Sequence, residues 1–321
     1  MLPPLTPSAE CAVVFATFLI GLREGLEAAL VVGMLVAYVS RLGRRDVLPR
    51  LWTGVGLAVT LAVTIGAILT FGAYTLTFQA QEIIGGVLSL AAVAMVTWMV
   101  FWMQRTAKTM KSTLEGDVDR ALARGGMWAL VALGFLSVAR EGIETTLLLW
   151  SLVQSFGNAP AALLGAILGI LTAVIAGWLL TRGLVRVNLR LFFAWTGAIL
   201  VIAAAGVLAY AFKDLQEPGV VPGPFTAGAP IDPATGAVAI GWAGFPLGWA
   251  FDLSSSIAPG GALATVLQAT VGFMPRMSWF QVIAWAGYIA IVGSFFARGL
   301  RRRASTRAAS PSPVPHLVGE S

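Results

Sequence analysis

The sequence predicts an all-α polytopic membrane protein of seven transmembrane helices, an inverted 3+3 helix repeat followed by a C-terminal helix. Three observations carry that prediction. Of the 321 residues, 58% are hydrophobic and only 11% charged, with a mean hydropathy of +0.84, far from the mixed composition of a soluble domain. Apolar runs long enough to cross a bilayer, about 20 residues at helical rise, recur seven times. A charged motif inside one of those runs returns three spans later.

The spans fall at roughly 11–40, 51–73 and 82–103, then at 127–154, 160–181 and 191–212, and finally at 279–298. Repeat one covers about 11–103 and repeat two about 127–212; an outer loop occupies 213–278, and helix seven closes a membrane domain spanning 1–303. No Lys or Arg precedes Arg23, so the basic region of a signal peptide is missing and the first run reads as a retained helix. The tail 304–321 is rich in Ser and Pro, a composition that predicts disorder on the cytoplasmic side. Within the inner segment STLEGDVDRALARGG, mixed charges between glycines predict a helix. The long outer loop is Pro/Gly-rich and predicts irregular structure, except for SSSIAPGGALATVLQATVGF, whose apolar run is too short to span and predicts an interfacial or re-entrant helix.

Orientation follows from the basic residues. Seventeen of the 21 follow helices one, three, five and seven, whereas only Lys213 and Arg276 lie on the opposite side. The positive-inside bias therefore puts the N-terminus outside and the C-terminus in the cytoplasm. The net charge of +6 is accounted for by topology, with no nucleic-acid partner implied. The single cysteine, Cys11, and the single histidine, His316, exclude a disulfide framework and Cys-cluster metal sites.

The stretch FLIGLREGLEAALVV (18–32) aligns without gaps to FLSVAREGIETTLLL (135–149), matching Arg23, Glu24, Gly25 and Glu27 to Arg140, Glu141, Gly142 and Glu144. The second copy lies three spans after the first, so the two helices run in opposite senses, and such repeats commonly enclose a midplane site. Residues three and four apart share a helix face, which puts Glu24 with Glu27 and Glu141 with Glu144. Six charges facing lipid would cost on the order of 15 to 20 kcal/mol, so they face the bundle interior. Four carboxylates against two guanidinium groups leave a surplus of acid, favouring a hard cation over a soft one, with Arg23 and Arg140 offsetting charge in the empty site. Simple Arg–Glu adhesion between helices is the competing reading, although one pair would suffice for it. Gly25 and Gly142 read either as allowing the two motif helices a close backbone approach or simply as glycines of the kind common in membrane spans.

Weaker signals accompany the motif. Glu82, Asp214 and Glu217, with Glu10, Asp232 and Asp252, make the outer side acidic, which reads either as an ordinary solvated rim or as a route that concentrates cations. Met95, Met99 and Met103 recur every fourth residue of helix three; packing is the expected role, because no Cys or His joins them to make a soft-metal ladder.

The paired REGLE and REGIE motifs in helices one and four resemble the REXXE signature of the oxidase-dependent iron permeases, the family of the fungal high-affinity iron permease and the bacterial EfeU-type iron permeases. Similar to bacterial members are also QEIIGGVLSLAAVAMVTWMVFWM in helix three, LFFAWTGAILVIAAAGVLAYAFKDLQEPG around helix six, and FDLSSS with VGFMPRMSW before helix seven, so that the resemblance covers most of residues 15–298. The outer Pro/Gly-rich insertion and the Ser/Pro tail depart from the pattern without touching the motifs. The resemblance implies a transporter rather than an enzyme, in the cytoplasmic membrane, with Glu24, Glu27, Glu141 and Glu144 as ligands of an iron ion that is substrate and not resident cofactor. It also implies an extracytoplasmic oxidase or haem peroxidase and an iron-binding partner, with iron supplied as ferrous and carried as ferric. The alternative is a proton-coupled transporter of another divalent metal such as lead or manganese. No nucleotide-binding loop occurs, and the inner loops are too short for an ATPase domain.

Overall fold

The charged and apolar runs fold into long helices in the computed structural model, which describes residues 7–73, 77–106, 110–123, 127–156, 159–181, 189–259 and 261–299. The tail 304–321 and the side chain of Met103 lie outside the described residues. Helix α1 (Pro7–Arg41) carries Glu10 in its first turn and Arg41 in its last, charges that complement the helix dipole. Gly43, at φ +74°, turns the chain out of α1 while its N–H bonds to the Ser40 carbonyl, as glycine does at helix C-termini. A short 3-10 turn leads into α2 (Leu48–Ala73), with Pro49 in the first turn, where its missing N–H costs nothing. Then follow α3 (Phe78–Thr106), α4 (Met110–Ala123), α5 (Met127–Phe156), α6 (Ala159–Thr181) and α7 (Leu189–Gln216).

The architecture is that of an all-α membrane protein with, among the described residues, one small antiparallel hairpin whose strands are connected through a helix. Among the described residues, five helical stretches are long and apolar enough to cross a membrane: 45–72, 78–102, 160–179, 194–216 and 279–299. Helices α1 and α5, of 35 and 30 residues, are as long but carry the motif charges. Val59, Val63, Ile68 and Phe71 of α2 and Leu163, Ile167, Leu171 and Ile175 of α6 point outward and exposed, a surface suited to lipid rather than water.

Helix α1 lies along α6, α2 along α5 and α3 along α7, and α1 also meets α5. Small residues make these approaches close, as expected where lipid removes the hydrophobic drive between helices. A Cβ on Gly25 would stand 2.7 Å from the Ala173 Cβ of α6, and one on Gly142 would stand 3.0 Å from the Ala62 Cβ of α2. The motif glycines therefore do not serve the contact between the two motif helices, one of the two roles the sequence left open; each fits its helix against α6 or α2. The cause is geometric: Gly25 stands one residue from Glu24, about 100° round the helix, so the face that presents the carboxylates cannot also present the glycine.

The segment after α3 forms α4, as its composition predicts. Val118 of α4 is buried with Leu35 and Val39 of α1, Leu51 of α2 and Leu130 of α5, and the Tyr38 hydroxyl bonds to Asp119 at 2.9 Å. The segment that follows α7 holds more order than expected. Strand β1 (Trp249–Asp252) pairs antiparallel with β2 (Arg276–Ser278), and the predicted short helix is α8 (Ala262–Val271), closed by Gly272 at φ +70°. Ser278 caps α9 (Trp279–Tyr288) in a reciprocal capping box with Gln281. Its hydroxyl also donates to Gln216 Oε1 at 2.8 Å, and Gln281 Nε2 donates to the Ala209 carbonyl at 3.2 Å. This buried network ties the end of α7 to the start of α9. Helix α9 continues through one π turn, Ile289–Gly293, to residue 299.

Candidate cation site

Burial of charge inside an apolar bundle has to be compensated locally, and the motif residues do this among themselves. Arg23 and Glu24 of α1 form an ion pair, and Arg23 Nη2 lies 2.9 Å from Glu27 Oε1. Arg23, Glu24 and Glu27 are 3%, 1% and 4% exposed. On α5, Arg140 Nε donates to Glu144 Oε1 at 3.1 Å.

Across the α1–α5 contact, carboxylate oxygens of Glu24, Glu141 and Glu144 all lie within 4.8 Å of one another. An ion at their centre would sit within about 2.8 Å of each oxygen, so a small inward movement of the side chains reaches the metal–oxygen range of about 2.0–2.6 Å. All three residues are buried, and Glu24 Oε2, Glu141 Oε2 and Glu144 Oε2 have no hydrogen-bond partner. Buried oxygens left open are costly in a folded protein, and carboxylates gathered from two helices form a set that a hard cation would satisfy. The donor set is oxygen only, which disfavours soft metals.

Of the four predicted carboxylates, the fold gathers three and holds Glu27 on Arg23, beside the cluster rather than in it. Helix α3 contributes two residues that the motif did not reveal. Met99 is fully buried with its Sδ 3.4 Å and 3.5 Å from the two terminal nitrogens of Arg23, and Trp102 lies under the Arg140 guanidinium, 4.5 Å from its ring centroid. The methionine periodicity did mark one face of α3, and packing is part of the role Met99 plays.

Glu82, Asp214 and Glu217 form a second acidic group at the N-terminal end of α3 and the C-terminal end of α7. The Glu82 and Asp214 carboxyl groups are within hydrogen-bonding reach, Asp214 is 3% exposed with Oδ1 unpartnered, and Glu217 pairs with Lys213 at 3.0 Å. Asp252 instead belongs to the hairpin. It accepts from the Ser254 hydroxyl and backbone N–H and pairs with Arg276 at 3.2 Å, interactions that hold its carboxyl below the ordinary aspartate range.

The profile of the iron permease FTR1 family matches residues 14–223, which contain both motif copies. The chain is 35% identical over 297 residues to the ferrous iron permease EfeU of Shigella sonnei, covering 92% of this chain and 98% of the relative. It is 36% identical over 278 residues to the protein of that name from Escherichia coli O6:K15:H31, covering 86% and 92%. Against that of Yersinia pestis, identity is 38% over 208 residues, covering 64% and 73%. No solved structure matches the chain.

Proposed function

This chain belongs to the iron permease FTR1 family, and from that premise we propose that it carries iron into the cell through the carboxylates that α1 and α5 bring together. It is a transporter and not an enzyme. The observation that carries the proposal is the convergence of Glu24, Glu141 and Glu144, from both motif copies, within 4.8 Å. Glu27 acts with them through Arg23, and Arg23 and Arg140 balance the charge of the empty site.

The seven-span reading counts α1 and α5 with the five apolar stretches, and their charges turned inward agree with it. The inverted repeat finds support in the packing: exchanging α1, α2 and α3 for α5, α6 and α7 turns the α1–α6 contact into α5–α2 and leaves α1–α5 and α3–α7 unchanged. In this reading the site lies on the pseudo-twofold axis, and rocking of the repeats exposes it alternately to each side. The N-terminus is outside the cytoplasmic membrane and the tail inside. Glu82, Asp214 and Glu217 then line the outer approach and draw cations toward the site. Supply as ferrous iron accords with the names of the relatives. Carriage as ferric iron after oxidation by an extracytoplasmic oxidase or haem peroxidase suits a cluster of three carboxylates, whose charge favours the trivalent ion.

Uptake of radioactive iron by cells producing Glu24→Gln, Glu141→Gln or Glu144→Gln variants tests the proposal. Each should abolish uptake with membrane levels of the protein unchanged. Loss of the protein from the membrane would instead mean that the glutamates only hold the helices together, and undiminished uptake would contradict the site.

A further inference from the structure

The two copies of the motif share residues but not surroundings. The Arg23 side chain is 4% exposed, and its terminal nitrogens are spent on Glu24, Glu27 and the Met99 sulfur. The Arg140 side chain is 31% exposed and meets Glu144 only through Nε, while its buried Nη2 has no partner. Two open carboxylate oxygens, Glu141 Oε2 and Glu144 Oε2, belong to the same helix. A paired, two-pronged contact with a carboxylate is the usual resting arrangement of a guanidinium. Here it is replaced by a place over the Trp102 ring, 4.5 Å from the centroid, within the range of a cation–π contact. Met99 and Trp102 stand three residues apart on α3, so one helix face addresses both arginines, clamping the first and drawing the second aside.

We propose that Trp102 is a positioning residue for the transported cation: by holding Arg140 over its ring it keeps the free oxygens of Glu141 and Glu144 open. The proposal rests on the reading of Glu24, Glu141 and Glu144 as the cation site. Without the aromatic face, Arg140 turns its unpartnered nitrogen to those oxygens and competes with the incoming ion. The asymmetry also assigns different duties to the two copies. Arg23 is a fixed clamp, and Arg140 is the arginine that must stand aside for binding.

The test is equilibrium binding of radioactive iron, supplied separately as the ferrous ion without oxygen and as a soluble ferric chelate, to the full-length protein in lipid nanodiscs. Trp102→Leu should weaken binding about 5- to 30-fold, the worth of a partly desolvated cation–π contact. Trp102→Phe, which keeps a ring face, should stay within about threefold of the wild type. In an Arg140→Gln background, Trp102→Leu should change binding less than about twofold, because the competitor is gone. Equal binding by Trp102→Leu and wild type would overturn the proposal. So would a loss that persists undiminished in the Arg140→Gln background, since Trp102 would then act by packing alone. Absence of any binding by the wild-type protein would overturn the cation-site reading itself, and this proposal with it.

Discussion

Replacing Gly21 by Ala probes how closely the site depends on helix approach. A Cβ at Gly21 would lie 2.5 Å from the Ala166 carbonyl oxygen and 3.1 Å from its Cα, where ordinary contact begins at 3.4 Å. Both obstacles are backbone atoms, so no rotamer change relieves them, and α1 must move from α6 by on the order of 1 Å. Overpacking of this kind costs about 1 to 3 kcal/mol. Gly21 is three residues before Glu24, so the movement shifts one side of the carboxylate cluster against α5. Sites of this type tolerate about 0.5 Å, and a 1 Å misplacement can cost about 100-fold. Iron influx into liposomes carrying Gly21→Ala should therefore fall at least about tenfold, with a lower unfolding temperature in detergent. Gly56→Ala is the control, because no atom lies within 4 Å of its added Cβ. If the two variants match in influx and unfolding, the packing argument is wrong.

Other consequences concern the strand pair and the start of α9. Ser278→Ala removes the cap of α9 and leaves the buried Gln216 oxygen without its donor, so it should cost about 2 to 4 kcal/mol in unfolding experiments, with Ser278→Thr largely restoring stability. Asp252 is held below the ordinary aspartate range by Ser254 and Arg276. Its contribution is complete above the unfolded value near about 3.9 and is lost as pH falls through the lower folded value. Proteolytic protection of the hairpin should thus stay level from neutral pH to about 4 and drop below it, and Asp252→Asn should remove that dependence.

The site was legible in the sequence because charge inside an apolar run is expensive and a gap-free second copy marks it as deliberate. Which carboxylates the fold gathers was less so. Helical spacing puts Glu24 and Glu27 on one face, but which carboxylate turns to α5 and which to Arg23 depends on the rotation of one helix against another. That same rotation gave Gly25 and Gly142 to α6 and α2. Trp102 and Met99 escaped notice as arginine partners because α3 is apolar nearly all round, and nothing in its pattern says which face meets the motif helices. Between α7 and α9, β1 and β2 are four and three residues long, with α8 between them, and so short a pairing leaves no periodicity to read.

The most direct measurement is radioactive iron influx into liposomes reconstituted with purified protein, ferrous and ferric supplied separately, for the wild type, Glu24→Gln and Glu141→Gln. Influx by the wild type and its loss in both variants are expected if α1 and α5 build one shared site; the preferred oxidation state shows whether an oxidising partner must act first. Influx that survives either substitution, or a correctly inserted wild type that moves neither form of iron, would contradict one shared iron site.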